Sequence, residues 1–324
     1  MKTGKKKEVF DFIASVGHTS VDAIANTFGL SRQMIHRYLS DLVREGALRK
    51  IGKPPKVFYL INDAQKTAES VGISPEIKKT INDSYFIITP SGERKEGLNG
   101  FEYWCRRQKL PLYKTAHEYA ETVAKYEPYK KDGLIDGMYK LKHTFDKVYL
   151  DKIFYLDFYA IERFGKTKLG QLLLYAKQSQ DKNLMKELAE MIKPQIEPLV
   201  VRFSINAVGF IPPTVKRETQ LMKELKNRLN LPLPEISLVK ARTQVIVPQK
   251  TLTRLEDRLE NARSSIVATD TKRYDNVLLI DDALGSGATL NETACKLKKR
   301  GTAKKVIGLA ITGSFSGFEV ISEV

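Results

Sequence analysis

Along the first sixty residues, apolar side chains recur every three or four positions. Val9, Phe10 and Ile13 share one stripe of a segment from Lys5 to Val16. Val21, Ile24, Ala25 and Phe28 share a second, and Ile35, Tyr38, Leu39, Leu42 and Val43 a third. That spacing predicts three amphipathic helices. Gly17 ends the first, Thr19 or Ser20 caps the second, Gly29-Leu30 makes a turn, and Ser31 caps the third. After Gly46 the pattern changes, and "ALRKIGKPPKVFYLI" predicts two short strands around a basic turn. From 61 to 148 the pattern is weaker. "TPSGERKEGLNG" reads as a connector or hairpin, and the segments beginning "FEYWCRRQKL" and "TAHEYAETV" as short amphipathic helices. Later, strand and helix patterns alternate. Ala207 to Ile211 predicts a strand, followed by Pro212-Pro213, a basic turn and a helix. Val277 to Ile280 is an unbroken apolar run, suited to the middle of a parallel sheet. A helix is predicted from Asn291 to Arg300, with Gly301 as its stop.

Alternating strands and helices predict an α/β fold for the C-terminal part. Three regions are expected: 1–63, a mainly helical connector over 64–149, and 150–324. There is no internal repeat. The chain has 324 residues, 42% of them hydrophobic, enough for packed cores, and a formal net charge of +16. A protein this basic is expected to meet a polyanion such as nucleic acid, with excess surface lysine as the plainer alternative. Met1 to Leu60 alone carries eleven Lys and Arg against five Asp and Glu. The two cysteines, Cys105 and Cys295, are far apart and form no CxxC pair, so neither a zinc module nor a disulfide framework is expected. No apolar run has transmembrane length, and "MKTGKKKEVF" lacks an apolar signal core. The expectation is a cytoplasmic protein with no membrane partner.

The inner stripe of the third helix leaves Arg32, Gln33, His36, Arg37 and Ser40 outward. Arg and Gln near a helix start can pair bidentately with guanine and adenine edges in the major groove. The segment resembles a winged helix-turn-helix, with Lys53 and Lys56 in "KIGKPPK" as its wing. The resemblance implies duplex DNA as partner, and protein contact is the other use of such a module. Winged-helix regulators often dimerise, so a homodimer is an expectation with no interface assigned. In the connector, Tyr113, Tyr119, Tyr126, Tyr129 and Tyr139 read chiefly as core; a stacking face for single-stranded nucleic acid is the alternative.

The chemistry concentrates in "VLLIDDALGSGATLNET". Two carboxylates, Asp281 and Asp282, end a buried strand, and Gly285, Ser286, Gly287, Ala288 and Thr289 lead toward a helix. Open α/β sheets bind ligands at that place, and backbone N–H groups at a helix start hold phosphate. The loop fits neither Walker A nor GxGxxG spacing. Acids beside a phosphate cradle suit a ribose 5-phosphate, with the carboxylates accepting from the 2′- and 3′-hydroxyls. The stretch resembles the PRPP-binding motif of type I phosphoribosyltransferases. The usual loop there reads Thr-Thr-Gly-x-Thr, and here Gly285 stands for the first Thr, which removes a hydroxyl and keeps the amides. The run "ARTQVIVPQKTLTRLEDRLEN", with its Thr, Gln, Leu and an Arg and Asn three apart, resembles the ComF group of phosphoribosyltransferase-like proteins. So does "YAIERFGKTKLGQLLLYAKQSQ", with an aromatic-glycine turn, a helix and a Lys. The resemblance covers roughly 150–324. That family often begins with a cysteine-rich zinc module, which this chain replaces.

The resemblance implies a type I phosphoribosyltransferase-like parallel-sheet domain. It implies PRPP as substrate or ligand, and Mg²⁺ oriented indirectly by Asp281 and Asp282. Lys216 and Arg217 would meet pyrophosphate. The 242–261 segment, with Arg242, Thr243, Gln249, Lys250, Arg258 and Asn261, would be a mobile lid. Two functions follow. One is a DNA-binding regulator whose C-terminal domain senses PRPP or a nucleotide, the order of domains found in purine-repressor regulators. The other is an active Mg²⁺-dependent phosphoribosyltransferase that the basic domain delivers to nucleic acid or a complex, such as a defence or DNA-processing effector.

Overall fold

The computed structural model describes residues 2–61, 72–213, 215, 217–241, 252, 254–270 and 272–314. The chain forms two compact units, Met1–Ile73 and Ser74–Val324.

The first unit contains α1 (Lys2–Val16), β1 (His18–Thr19), α2 (Val21–Phe28), α3 (Arg32–Arg44), β2 (Leu48–Lys53) and β3 (Lys56–Ile61). The expected caps form: Ser20 and Ser31 accept from the N–H groups of Ala23 and Met34, each at 3.3 Å. Gly29 ends α2 in the left-handed region. Val9, Ile13, Ile24, Ile35, Leu39 and Leu42 meet in one core with Leu48 and Tyr59. Val43, expected inside, is 37% exposed at the margin of the helix stripe. The strands make an antiparallel sheet in the order β1-β3-β2, with Lys53 opposite Lys56 at the hairpin end. Gly52 is needed there: a Cβ would lie 2.2 Å from the Lys56 carbonyl oxygen, at φ +86°.

The second unit opens with α4 (Pro75–Ser84), the hairpin β4 (Phe86–Ile88) and β5 (Arg94–Glu96), α5 (Gly97–Arg107) and α6 (Leu112–Tyr126). Then come β6 (Lys130–Lys131), β7 (Leu134–Asp136), α7 (Met138–Thr144), β8 (Lys152–Phe158), α8 (Lys168–Ser179), α9 (Lys182–Arg202), β9 (Ala207–Phe210) and α10 (Leu221–Leu229). It continues through β10 (Leu238–Lys240), α11 (Leu255–Ser265), β11 (Ile266–Ala268), β12 (Tyr274–Leu284), α12 (Ala288–Lys299) and β13 (Ala303–Gly313).

Six strands form the central sheet in the order β6-β7-β8-β13-β12-β9. The four from β8 to β9 are parallel, and β7 and β6 extend one edge antiparallel. The fold is α/β with a mostly parallel sheet. The segment expected as a connector thus supplies two of the sheet's strands. Arg94 of its hairpin also reaches Glu187 of α9 through two hydrogen bonds, at 2.7 and 2.9 Å. On one face, Phe154, Leu156, Leu278, Ile280, Ile307, Leu309 and Ile311 pack against leucines of α8, α9 and α10. Of the aromatics before β8, Tyr119 is buried against Tyr85, Phe101 and Phe164, while Tyr113, Tyr129 and Tyr139 are exposed. Most of this aromatic content is therefore core. Among the described residues no helix is long and apolar enough to cross a membrane.

Candidate ligand site at the carboxyl ends of the strands

β12 runs from Tyr274 to Leu284, further than the expected four residues, so the two acids lie within the strand. The extension has a register cause: β12 stays paired with β13 through Leu284 opposite Gly313, while β9 stops at Phe210 opposite Ile280. Asp281 and Asp282 therefore stand where the β9 side of the sheet opens. The pleat turns them to opposite faces. Asp282 shares the face of Ile280 and meets the ammonium of Lys177 on α8 in a short ion pair. Asp281 accepts the Asp282 N–H at 2.8 Å and lies within the field of Lys240 on β10.

The electrostatics are unusual for exposed charges but ordinary for a site. Burial first, and the Asp282 carboxylate second, push the Asp281 carboxyl up to about 8. Burial alone would lower Lys177, but the charge and hydrogen bond of Asp282, with Asp281 beyond it, outweigh that and raise it. Arg217 donates through Nη1 to the Lys177 carbonyl at 2.6 Å. Its loop is docked on the end of α8, where Gln180 accepts the Thr219 N–H at 2.9 Å. Arg217, Lys177 and Asp282 thus gather on the β9 flank. Lys216 lies outside the described residues.

The helix after the acids begins at Ala288, three residues earlier than expected from Asn291. Gly287 is its N-cap, at φ +84°. A side chain there would be strained twice, since a Cβ would also fall 2.6 Å from Leu141 Cδ1 of α7. Gly285 and Ser286 form the loop proper, Ser286 Oγ accepts the Ala288 N–H at 3.3 Å, and Ala288 and Thr289 open the helix. First-turn N–H groups of a helix lack intrahelical acceptors, and α12 carries no acid in its first turn. The predicted phosphate loop is therefore a two-residue turn plus a helix start.

Arg258 and Asn261 lie on α11. Arg258 is 7% exposed and donates through Nε to the Leu252 carbonyl at 2.6 Å. The end of α11 is tied to α12: Lys296 Nζ donates to the carbonyls of Arg263, at 2.7 Å, and of Ile266. Arg263 also pairs with the buried Glu292 at 3.4 Å. Residues 255–261 of the expected lid are thus a packed helix. Amphipathic spacing in this polar segment was too weak to show it. Arg242, Thr243, Gln249 and Lys250 lie outside the described residues.

Three cations went unpredicted as site residues: Lys177, Lys240 and Lys140. Lys177 stood inside a quoted motif without a role. Lys140 on α7 donates to the Ser314 carbonyl at 2.9 Å and to its hydroxyl at 3.1 Å, and burial first, then the charge of Arg258, push it down to about 8. No sequence signal marks it, since its partner lies 174 positions away. Among the described residues no three His, Cys, Asp or Glu side chains converge on a metal position.

In the first unit, Arg32, Gln33, His36 and Arg37 are all exposed on α3, and Lys53 and Lys56 are exposed at the hairpin. Arg32 pairs with Asp22 at 2.7 Å. No protein-family model matches the chain, and no curated protein matches it.

Proposed function

We propose that the second unit binds PRPP in the manner of a ComF-like type I phosphoribosyltransferase. The first unit, in this reading, is a winged helix that binds duplex DNA, and the chain is a regulator whose DNA binding responds to PRPP or a nucleotide. One observation carries the reading: two carboxylates end the central strand β12, directly before a glycine turn into the start of α12. That arrangement puts strong acceptors for vicinal hydroxyls beside free amides for a phosphate. Ionised Asp281 is costly where it sits, so a ligand that donates hydrogen bonds to it gains affinity. With only two carboxylates together, and Asp282 held by Lys177, the protein offers no full cage for Mg²⁺. A hydrated Mg²⁺ carried by the pyrophosphate suits those residues, with Asp281 and Asp282 accepting from its waters. It would supply charge compensation for the leaving group.

For DNA, α3 would enter the major groove with Arg32 and Gln33 on base edges and His36 and Arg37 near the backbone, while Lys53 and Lys56 would meet phosphates. The deciding experiment is a DNA titration with and without saturating PRPP and Mg²⁺, alongside an assay of pyrophosphate release. A sensor changes its DNA affinity by about 5- to 150-fold. A second reading, an active transferase, is favoured by Lys177 and Arg217 on the β9 flank, where cations would offset charge on departing pyrophosphate. Unchanged DNA affinity with steady pyrophosphate release selects that enzyme.

A further inference from the structure

We infer that Lys140, supplied by α7 ahead of the parallel strands, is a binding residue for the phosphate on C5 of the ribose. It takes the place of the hydroxyl that Gly285 lacks. The inference rests on the PRPP reading and adds a residue that the motif does not contain.

Three contacts set α7 on the turn between β12 and α12. A Cβ on Gly137, just before α7, would lie 2.9 Å from Leu284 Cδ2. Leu141 covers Gly287, as described above. Lys140, one residue earlier, donates to both oxygens of Ser314. Ser314 follows Gly313, which is paired with Leu284, so parallel register sets Ser314 beside Gly285. The Lys140 ammonium is thus held at the first residue of the phosphate turn. Its two bonds to Ser314 go to neutral oxygens, which orient the charge without cancelling it. Arg258, nine-tenths buried on α11, adds a second positive charge in its neighbourhood.

Strand order decides which phosphate this cation serves. β13 and β9 lie on opposite sides of β12. Lys140 and the turn lie toward β13; Arg217 lies in the loop after β9. PRPP carries its monophosphate and its pyrophosphate on opposite ends of one ribose. A ribose held by Asp281 and Asp282 therefore extends its C5 phosphate toward Lys140 and its pyrophosphate toward Arg217. The reverse orientation would direct the pyrophosphate into the two-residue turn.

The test is calorimetry of the full chain, wild type and Lys140→Met, with PRPP and Mg²⁺, with ribose 5-phosphate, and with inorganic phosphate. Hydrogen bonds to charged groups predict a loss of about ten- to a hundredfold for PRPP and ribose 5-phosphate in the variant. Wild-type binding of PRPP with undiminished affinity in a folded Lys140→Met rejects the role of Lys140 and leaves the PRPP reading intact. Wild-type binding of ribose 5-phosphate but not PRPP, weakened in the variant, rejects the PRPP reading and keeps Lys140. Absence of binding to all three rejects both. If Lys140→Met does not fold, Lys140→Arg decides. Arg258 and Ser314 are the groups brought to Lys140 from α11 and β13, and Asp281 titrates in the same range. Both wild-type groups would weaken or strengthen phosphate binding near pH 8, but only Lys140 discharges there. Ribose 5-phosphate affinity that falls from pH 7 to 9 in wild type and holds in Lys140→Arg supports the role; parallel profiles overturn it.

Discussion

Arg32–Asp22 in the first unit and Lys177–Asp282 in the second are each one cation on one carboxylate, in different surroundings. The first pair is 73% and 61% exposed, the second 34% and 18%. An exposed pair contributes about 0–1 kcal/mol and is screened by salt. Arg32 can therefore exchange Asp22 for a phosphate or a base edge at little cost. Asp282 cannot lose Lys177 so freely, because an uncompensated charge would remain in a poorly solvated place. The first unit displays its charges on the outer face of one local helix. The second draws charges from α7, α8, β10 and β12 into one end of a sheet, where they change one another's protonation.

The largest expected effect tests that inner cluster. Asp281→Asn with Asp282→Asn removes the ionised acceptors for the ribose hydroxyls. At about 1.5 kcal/mol for each bond lost, PRPP affinity drops about a hundredfold while DNA affinity without PRPP is unchanged. Equal PRPP affinity by calorimetry would remove this strand end from the site.

Next in size is the outer surface. Arg32→Ala and Gln33→Ala each lower discrimination between the preferred DNA site and a scrambled one by about 1–3 kcal/mol, measured by competition binding. Equal loss on both sequences would reassign α3 to backbone contact. Lys53→Ala with Lys56→Ala acts differently: all sequences weaken together, and the slope of log affinity against log salt flattens by about 2. A slope that stays put means the hairpin does not touch phosphates.

The smallest effect sharpens the contrast in protonation. Because the folded protein raises the Asp281 carboxyl to about 8, its stabilising contribution is complete below the ordinary carboxylate range and is lost as pH rises through about 8. Asp281→Asn removes that loss. A recovered penalty of about 1 kcal/mol raises Tm by about 2–4 °C. The variant should match wild type near pH 4 and exceed it near pH 8. A constant difference across that range would mean that Asp281 ionises as an exposed carboxylate does. No comparable dependence is expected from Arg32→Ala.

Much of the first unit was readable in the amino-acid order because its features are local. A stripe at helical spacing set the inner face of α3, and Ser20 and Ser31 capped their helices as serine does before a helical run. What faces out follows from what faces in. The acid pair and glycine turn were readable too, since strand end, turn and helix start are neighbours in the chain. Even so, the lengths of β12 and α12 came out differently. Pairing to β13 carried β12 through both acids, and the fit of Gly287 against Leu141 started α12 at Ala288.

The amino-acid order alone thus determined which segments are amphipathic, where the basic surface helix lies, and that two acids precede a glycine turn. Tertiary structure decided what stands around those acids. Lys177 and Asp282 are 105 positions apart, and Lys140 and Ser314 are 174 apart. It also decided that β6 and β7 join the sheet beside β8. The physical reason is range. Helical and strand periodicity act over a few residues, whereas the order of strands sets which distant side chains meet, and burial at that meeting sets their charge.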